Sequence, residues 1–448
     1  MSAAADIRDL AARALAEAER AGADEADLRV FESRELQLVV RLGEVEVLKE
    51  AGDRGVALRV FKGRRRAVVG TTELDPAGLE RLAREAVALA AVCEPDDTHR
   101  LPAPDLFAAE LPDLDLCDDG AAPDTAAAIA LARDLEAATL GADPRIDNCQ
   151  QSRFTRGLTR TVYVTSNGFA ADWRRTGYSL AIQPVARGRN GERVTDAWFQ
   201  RAPHFADLRD VEVLAAEAAR RVLRRLDARR APTGAFPVVF EPRMAARLAA
   251  MVFRCVSGTA VWRGLSYLAD RRGERVASER FTLVDDPHRP RGLGSRPCDG
   301  EGLACRRLAL VDGGALRSFA TDLESARRLD LPPTGHGLWG GGVGPSNLHV
   351  LPGDQSPEAI IAGAGRGLVV IDMMGQGFDA TSGHWSQGCT GLWIEDGAVS
   401  HPVSEVTVAG HLDEVLGGVD AVGDDLDFSL GAVTAPTLRV AAMTVAGG

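Results

Sequence analysis

The chain has 448 residues, 45% hydrophobic and 26% charged, the balance of a globular protein with enough length for two domains. Its 64 acidic residues outweigh 52 basic ones, and the net charge of −12 argues against a nucleic-acid partner, because a polyanion calls for a cationic face. Seven cysteines, odd in number and with no CxxC spacing, fit a reducing cytoplasm rather than a disulfide framework, and no apolar run approaches the ~18 residues of a membrane span.

Ile7, Leu10, Ala14 and Leu15 recur at helical spacing and predict an amphipathic helix over 5–21, whose acids (Asp6, Asp9, Glu17, Glu19) read against a secretory or transit leader. The stretches "LRVFES", "ELQLVVRLGEVEVLKEA", "GVALRVF" and "RAVVGTT" predict strands, with "KGRR" as the turn between the last two. Asp75 as N-cap and Pro76 in the first turn open a second helix. Residues 94–124, rich in Pro and Asp, predict a long surface connection. A helix over "TAAAIALARDLEAATLGA", two strands around an "SNG" turn, and a helix ending at Arg230 follow. The basic run "RRVLRRLDARR" within 220–230 reads as the solvated end of that last helix, where cations suit the dipole.

"APTG" near 231 marks the expected boundary between residues 1–231 and 232–448. Beyond it come a buried strand, "GAFPVVFEP", and a helix, "RMAARLAAMVFRCVSG", then short strands broken by Gly, Pro, Asp and Asn. The expected fold is α+β: an N-terminal α/β domain with a small antiparallel sheet and helices, and a C-terminal antiparallel β-barrel-like domain.

Three places could carry chemistry. The stretch "HWSQGCTGLWIEDGAVSH" packs His384, Cys389, Glu395 and His401 into one hairpin, which is a metal site only if the fold gathers them; the spacing matches no structural zinc pattern. The glycine-rich "GHGLWGGGVGPSN" predicts a loop that closes over something or lines a groove, with His336 and Asn347 as its polar groups; it lacks the lysine of a phosphate-binding loop. None of the eight histidines has another within five residues, so a helix with two histidines one turn apart is absent, as is a GxSxG nucleophile elbow.

The order of segments from "GADEADLRV" through "GVALRVFKGRRRAVVGTTELD", "VTSNGF" and "SGTAVWRGLSYLADRRGERVASERFTLVDDP" to "SNLHVLPGDQSP", "SGHWSQGCTGLWIEDGAVSHPVSEVTVAG" and "HLDEVL" resembles the TldD/PmbA family, on its TldE (PmbA) side. That resemblance implies a cytoplasmic subunit that pairs with a TldD-like chain to degrade or trim peptides, holding an extended peptide by strand addition. It places the partner's zinc-binding HExxxH at Ala249, Ala250 and Arg254 here, and no Cys follows Cys389 as a third ligand. The expectation is therefore no catalytic residue and no metal in this chain, zinc in a TldD-like partner, and a homodimer where that partner is absent. His384 stands where the family has Asp and Cys389 where it has Ala, either as neutral changes or as groove contacts. The partner-facing surface is expected from the 335–347 loop and the 371–403 strands. The alternatives are a self-sufficient metallohydrolase using His384, Cys389 and His401, and a peptide-binding or chaperone module without proteolysis.

Overall fold

The computed structural model describes residues 6–120, 122–375 and 377–447. Helix α1 (Ile7–Arg20) is capped by Asp6, which accepts from the Arg8 N–H at 2.9 Å. Strands β1 (Glu25–Arg41), β2 (Glu44–Lys62) and β3 (Arg65–Thr71) form an antiparallel meander. The predicted single strand "ELQLVVRLGEVEVLKEA" is in fact folded in two at Leu42 and Gly43, with φ of 51° and 77°. The reason is tertiary: the buried Glu136 carboxylate accepts from Leu42 N at 2.8 Å and Gly43 N at 2.7 Å. Helix α2 (Pro76–Val92) starts on Asp75, which accepts from Gly78 N at 2.8 Å.

Helix α3 (Thr125–Gly141) brings in Glu136. Strands β4 (Ile146–Thr165), β5 (Ala170–Arg187), β6 (Arg193–Thr195) and β7 (Trp198–Ala202) complete a seven-stranded sheet, and α4 (Val211–Leu223) follows. The sheet order is β3-β2-β1-β4-β5-β6, with β7 also on β5. Strand periodicity decides its faces. Ala26, Leu28, Val30, Leu36, Leu38 and Val40 of β1 point one way, the first three into a core with α1 and α2, the last three into one with α3 and α4. Asp27 and Arg29 point the other way, where Arg29 reaches Trp339 of the chain's second half.

Two further expectations for this half are corrected. Helix α4 stops at Leu223, and the basic run beyond it is not a solvated helix end. Arg221 is only 4% exposed, and Arg221, Arg224 and Arg225 are drawn inward to Asp196, Glu241 and Asp372. The 94–124 connection is partly interior, with Leu101, Leu114 and Leu116 buried. Arg327 ties it down by donating to the carbonyls of Thr98 at 2.6 Å, Arg100 at 3.1 Å and Leu101 at 3.0 Å.

The second half runs β8 (Gly234–Phe240), α5 (Pro242–Val256), α6 (Gly258–Trp262), β9 (Leu283–Asp285), β10 (Leu308–Asp312), β11 (Ala315–Leu316), α7 (Leu323–Leu329) and β12 (Leu348–Val350). It continues through α8 (Pro357–Ala364), β13 (Gly367–Met374), β14 (His384–Glu395), β15 (Ala398–His411), α9 (Leu412–Gly417), β16 (Val419–Val422), β17 (Val433–Thr434) and β18 (Leu438–Gly447). One sheet has the order β11-β10-β9-β12-β17. The other, β15-β14-β13-β8-β18-β16, closes because β15 also pairs with β18, from Val406↔Gly447 to Ala409↔Thr444. The barrel-like domain is thus a closed ring of β15, β14, β13, β8 and β18, antiparallel except where β8 runs parallel to β13. Phe240, Trp385, Cys389 and Trp393 share one core with the apolar face of α5, which includes Met244, Leu248, Ala249 and Val252. Among the described residues, no helix is long and apolar enough to cross a membrane.

Candidate functional site

Helix α5 buries one stripe in that core, so its 3.6-residue period leaves Arg243, Ala246, Arg247, Ala250 and Arg254 on the opposite face. Arg243 donates Nη1 to the Ala197 carbonyl at 3.2 Å and stacks over Phe199, 5.7 Å from the ring centre. Arg247 clasps the end of β13, donating to the carbonyls of Met373 and Gly375, the latter at 3.1 Å. Arg254 lies over Phe378 at 5.6 Å. Arg243, Ala246, Arg247 and Ala250 border a cleft of about 350 Å³ between β7, α5, the end of β13 and β17. Among the described residues strand β7 pairs only with β5, and the two-residue β17 only with β12.

A zinc ion would need imidazole, thiolate or carboxylate donors on this helix face. Ala249 is fully buried, Ala250 offers a methyl group, and Arg254, like Arg243 and Arg247, is a guanidinium with no lone pair to give. The residues present do not fit the metal.

The glycine-rich loop does close over something: the chain's own carboxylates. Asp299 is 1% exposed and accepts from the N–H groups of Glu301 at 2.8 Å, Leu303 at 2.9 Å and Gly337 at 2.9 Å. Glu301 accepts from Leu323 N at 2.8 Å, and Asp322 from Gly342 N at 3.1 Å. A Cβ at Gly337 would stand 2.7 Å from Glu301 Oε2, so only glycine lets the loop come this close. Burial first, and then the neighbouring Asp299 charge, push the Glu301 carboxyl up to about 8. Asp299 is also raised by burial, but its three backbone donors favour the anion, which leaves the shared proton on Glu301.

His336 and Asn347 are both interior. His336 is 1% exposed, with Nδ1 2.8 Å from Thr334 Oγ1 and Nε2 3.2 Å from Asp285 Oδ2, off the line of a hydrogen bond. Burial alone would raise the Asp285 carboxyl; the His336 ring and the Ser346 hydroxyl outweigh it and hold that carboxyl below the ordinary aspartate range. Asn347 spends its amide within the chain, donating to the Asp286 carbonyl at 2.6 Å and Ser295 Oγ at 2.7 Å and accepting from Gly294 N at 2.8 Å. Neither faces the cleft.

The hairpin does not gather His384, Cys389 and His401. His384 is exposed at the start of β14 and pairs in register with His411, their rings 5.2 Å apart edge to face. His401 pairs with Trp393, at the far end of the ladder and roughly 30 Å away at the rise of an extended strand. Cys389 lies between them with no exposure, and burial pushes its thiol up to about 12. The metal alternative built on these three residues is therefore not supported by their placement. Among the described residues, Asp96, His99 and Glu324 come close enough to share an ion, but Arg328 already pairs with both acids and Arg66 with Glu324.

Sequence reasoning missed the arginine face of α5 and the buried Asp299 and Glu301. The arginine spacing 243, 247, 254 was a readable signal for the first. In "CDGEG" the two acids carry only a turn signal, so the second was not readable.

Comparison with known proteins bears on the same segments. Residues 26–90, 118–226 and 233–447 match, in order, domain 1, the central domain and the C-terminal domain of the PmbA/TldA metallopeptidases. The chain is 31% identical to the metalloprotease PmbA of Escherichia coli O157:H7 over 423 residues, covering 93% of this chain and 92% of that protein. It is 30% identical to a PmbA homologue of Haemophilus influenzae, with 94% and 92% covered. Its fold superposes on a Bacteroides thetaiotaomicron protein described as a proposed modulator of DNA gyrase, with a TM-score of 0.93, 27% identity, and 99% and 100% of the two chains covered. It also superposes on TldE of Thermococcus kodakarensis, with a TM-score of 0.85, 22% identity, and 99% and 100% covered, a likeness of fold alone.

Proposed function

Because the chain belongs to the PmbA/TldA metallopeptidase family, we propose that it is the non-catalytic, TldE-like subunit of a peptidase whose zinc sits in a TldD-like partner. The observation that carries this is helix α5, where a fully buried Ala249 and, on the outer face, Ala250 and Arg254 offer no metal-binding or proton-transferring group. A subunit of this kind contributes by holding substrate and by supporting its partner. The edge of β7 that, among the described residues, has no ladder partner beside the cleft suits an extended peptide bound through main-chain hydrogen bonds, a mode that reads few side chains. Leu338, Met374 and Val399 are exposed large apolar side chains within the 335–347 and 371–403 segments, and they support a docking face there. Seven free cysteines support a reducing compartment such as the cytoplasm.

The test is co-expression with a TldD-like chain. The expected result is a 1:1 complex by light scattering that cleaves flexible peptides, with zinc in the partner and none in this chain. A stable monomer together with full activity of the partner alone would rule the reading out. One zinc per isolated chain, lost in His384→Ala, would reinstate the metallohydrolase. Peptide bound by the isolated chain, with no cleavage in any mixture, would favour a chaperone module.

A further inference from the structure

The cleft beside α5 has a definite chemical character. Its walls include Phe199, Leu430 and Val433, and its cations are Arg243 and Arg247. Its one lining acid, Asp372, is met by Arg225 at 3.4 Å, and Asp196 behind the wall lies 3.9 Å from Arg243, so the cleft itself presents two cations against one paired acid. Arg247 is committed to the carbonyls of Met373 and Gly375, whereas Arg243 uses Nη1 alone, on the Ala197 carbonyl at 3.2 Å and on Asp196 at 3.9 Å, and among the described residues its Nε and Nη2 have no hydrogen-bond partner. Thr434 lines the same cleft, is 2% exposed, and its hydroxyl has no hydrogen-bond partner among the described residues. A buried hydroxyl without a partner is costly, and a guanidinium recognises a carboxylate through paired N–H donors.

We infer that the cleft binds the C-terminal residue of a peptide, with its carboxylate held by Arg243 and Thr434 and an apolar side chain against Phe199, Leu430 and Val433. This deepens the peptide-groove reading and rests on it. The volume is small enough to seat the last one or two residues and leaves the chain upstream to run along the neighbouring edge of β7. On this inference the subunit reads where a substrate ends, while the partner's zinc sets where it is cut.

Fluorescence anisotropy on the full chain tests this with labelled hexapeptides ending in Leu. Three forms are needed: the free acid, its C-terminal amide, and an amide carrying an internal Glu. The free acid should bind at least about tenfold more tightly than either amide, the scale of a charge-assisted hydrogen bond. Arg243→Gln should erase the preference and Thr434→Val should reduce it, with melting temperatures recorded for both. Equal binding of acid and amide by the unmodified chain overturns the inference while leaving the groove reading intact, and needs no variant. Recovery of binding by the internal Glu would show a site for acidic side chains rather than chain ends, and would also overturn it. No binding of any peptide, alone or in the complex, removes the groove reading itself.

Discussion

Arg59 of β2 meets Asp27 of β1 side by side inside the molecule, with Nε 2.8 Å from Oδ1 and Nη2 2.5 Å from Oδ2. The pair is 3% and 0% exposed, and the Tyr163 hydroxyl donates to the same carboxylate at 2.7 Å. Strand register makes the pair, since Asp27 and Arg59 are direct cross-strand partners on the sheet face turned toward the second half of the chain. Removing either member strands a buried charge, so Asp27→Asn and Arg59→Met should each destabilise the protein by about 3–5 kcal/mol. Tyr163→Phe should cost about 1 kcal/mol. Urea denaturation of the three variants checks the ranking, which a pair of little consequence would not show.

The carboxylates under the glycine-rich loop make stability depend on pH. Glu301 is neutral in the folded chain up to about 8, whereas the unfolded glutamate ionises near its ordinary 4.5. The folded state therefore holds one more proton across that window, and stability should be greatest at its lower end and fall as pH rises toward 8. Glu301→Gln keeps the acceptor for Leu323 N and cannot ionise, so it should flatten this fall. Denaturation midpoints at pH 5, 6, 7 and 8 decide it; identical profiles for both proteins would mean that Glu301 ionises normally.

The Leu42–Gly43 turn stores strain that a substitution can release. Leu42 sits in the left-handed region at φ 51° with its side chain 62% exposed, so it loses little by replacement. Leu42→Asn should stabilise the protein by roughly 0.5–1 kcal/mol. Glu136→Ala should destabilise it by about 2 kcal/mol, because two turn N–H groups lose their acceptor. Thermal melts of both variants read opposite signs if Glu136 holds the turn.

Cys389 should be inert. It has no exposure, its thiol is pushed up to about 12 by burial, and it sits in β14 opposite Met373 and Val406. A disulfide reagent should modify Cys93, which is partly exposed, well before Cys389, and reach Cys389 only on unfolding. Cys389→Ala should cost about 1 kcal/mol and leave the activity of the complex nearly unchanged. Loss of activity at normal stability would give the thiol a role in the complex.

What the sequence determined by itself was local. Asp75 and Pro76 start a helix, "SNG" and "EDG" turn strands, and the apolar periods of α1 and α5 choose their buried faces, because each signal lies within a few residues of its effect. The order of elements up to α5 followed from the same signals, whereas the short helices α7, α8 and α9 interrupt a stretch that reads only as strands and turns. Contacts between distant segments decided the rest. The turn at Leu42 needs Glu136, which arrives from another helix. The run from Arg220 to Arg230 looks like a solvated helix end until Asp196, Glu241 and Asp372 are folded against it. His384, Cys389 and His401 look clustered in the chain, yet an extended strand separates what sequence brings near. Asp299 and Glu301 read as turn acids, and only the loop that packs over them removes water and makes one of them hold its proton. In each case the energy lies in desolvation and pairing between residues far apart in sequence, which no local pattern encodes.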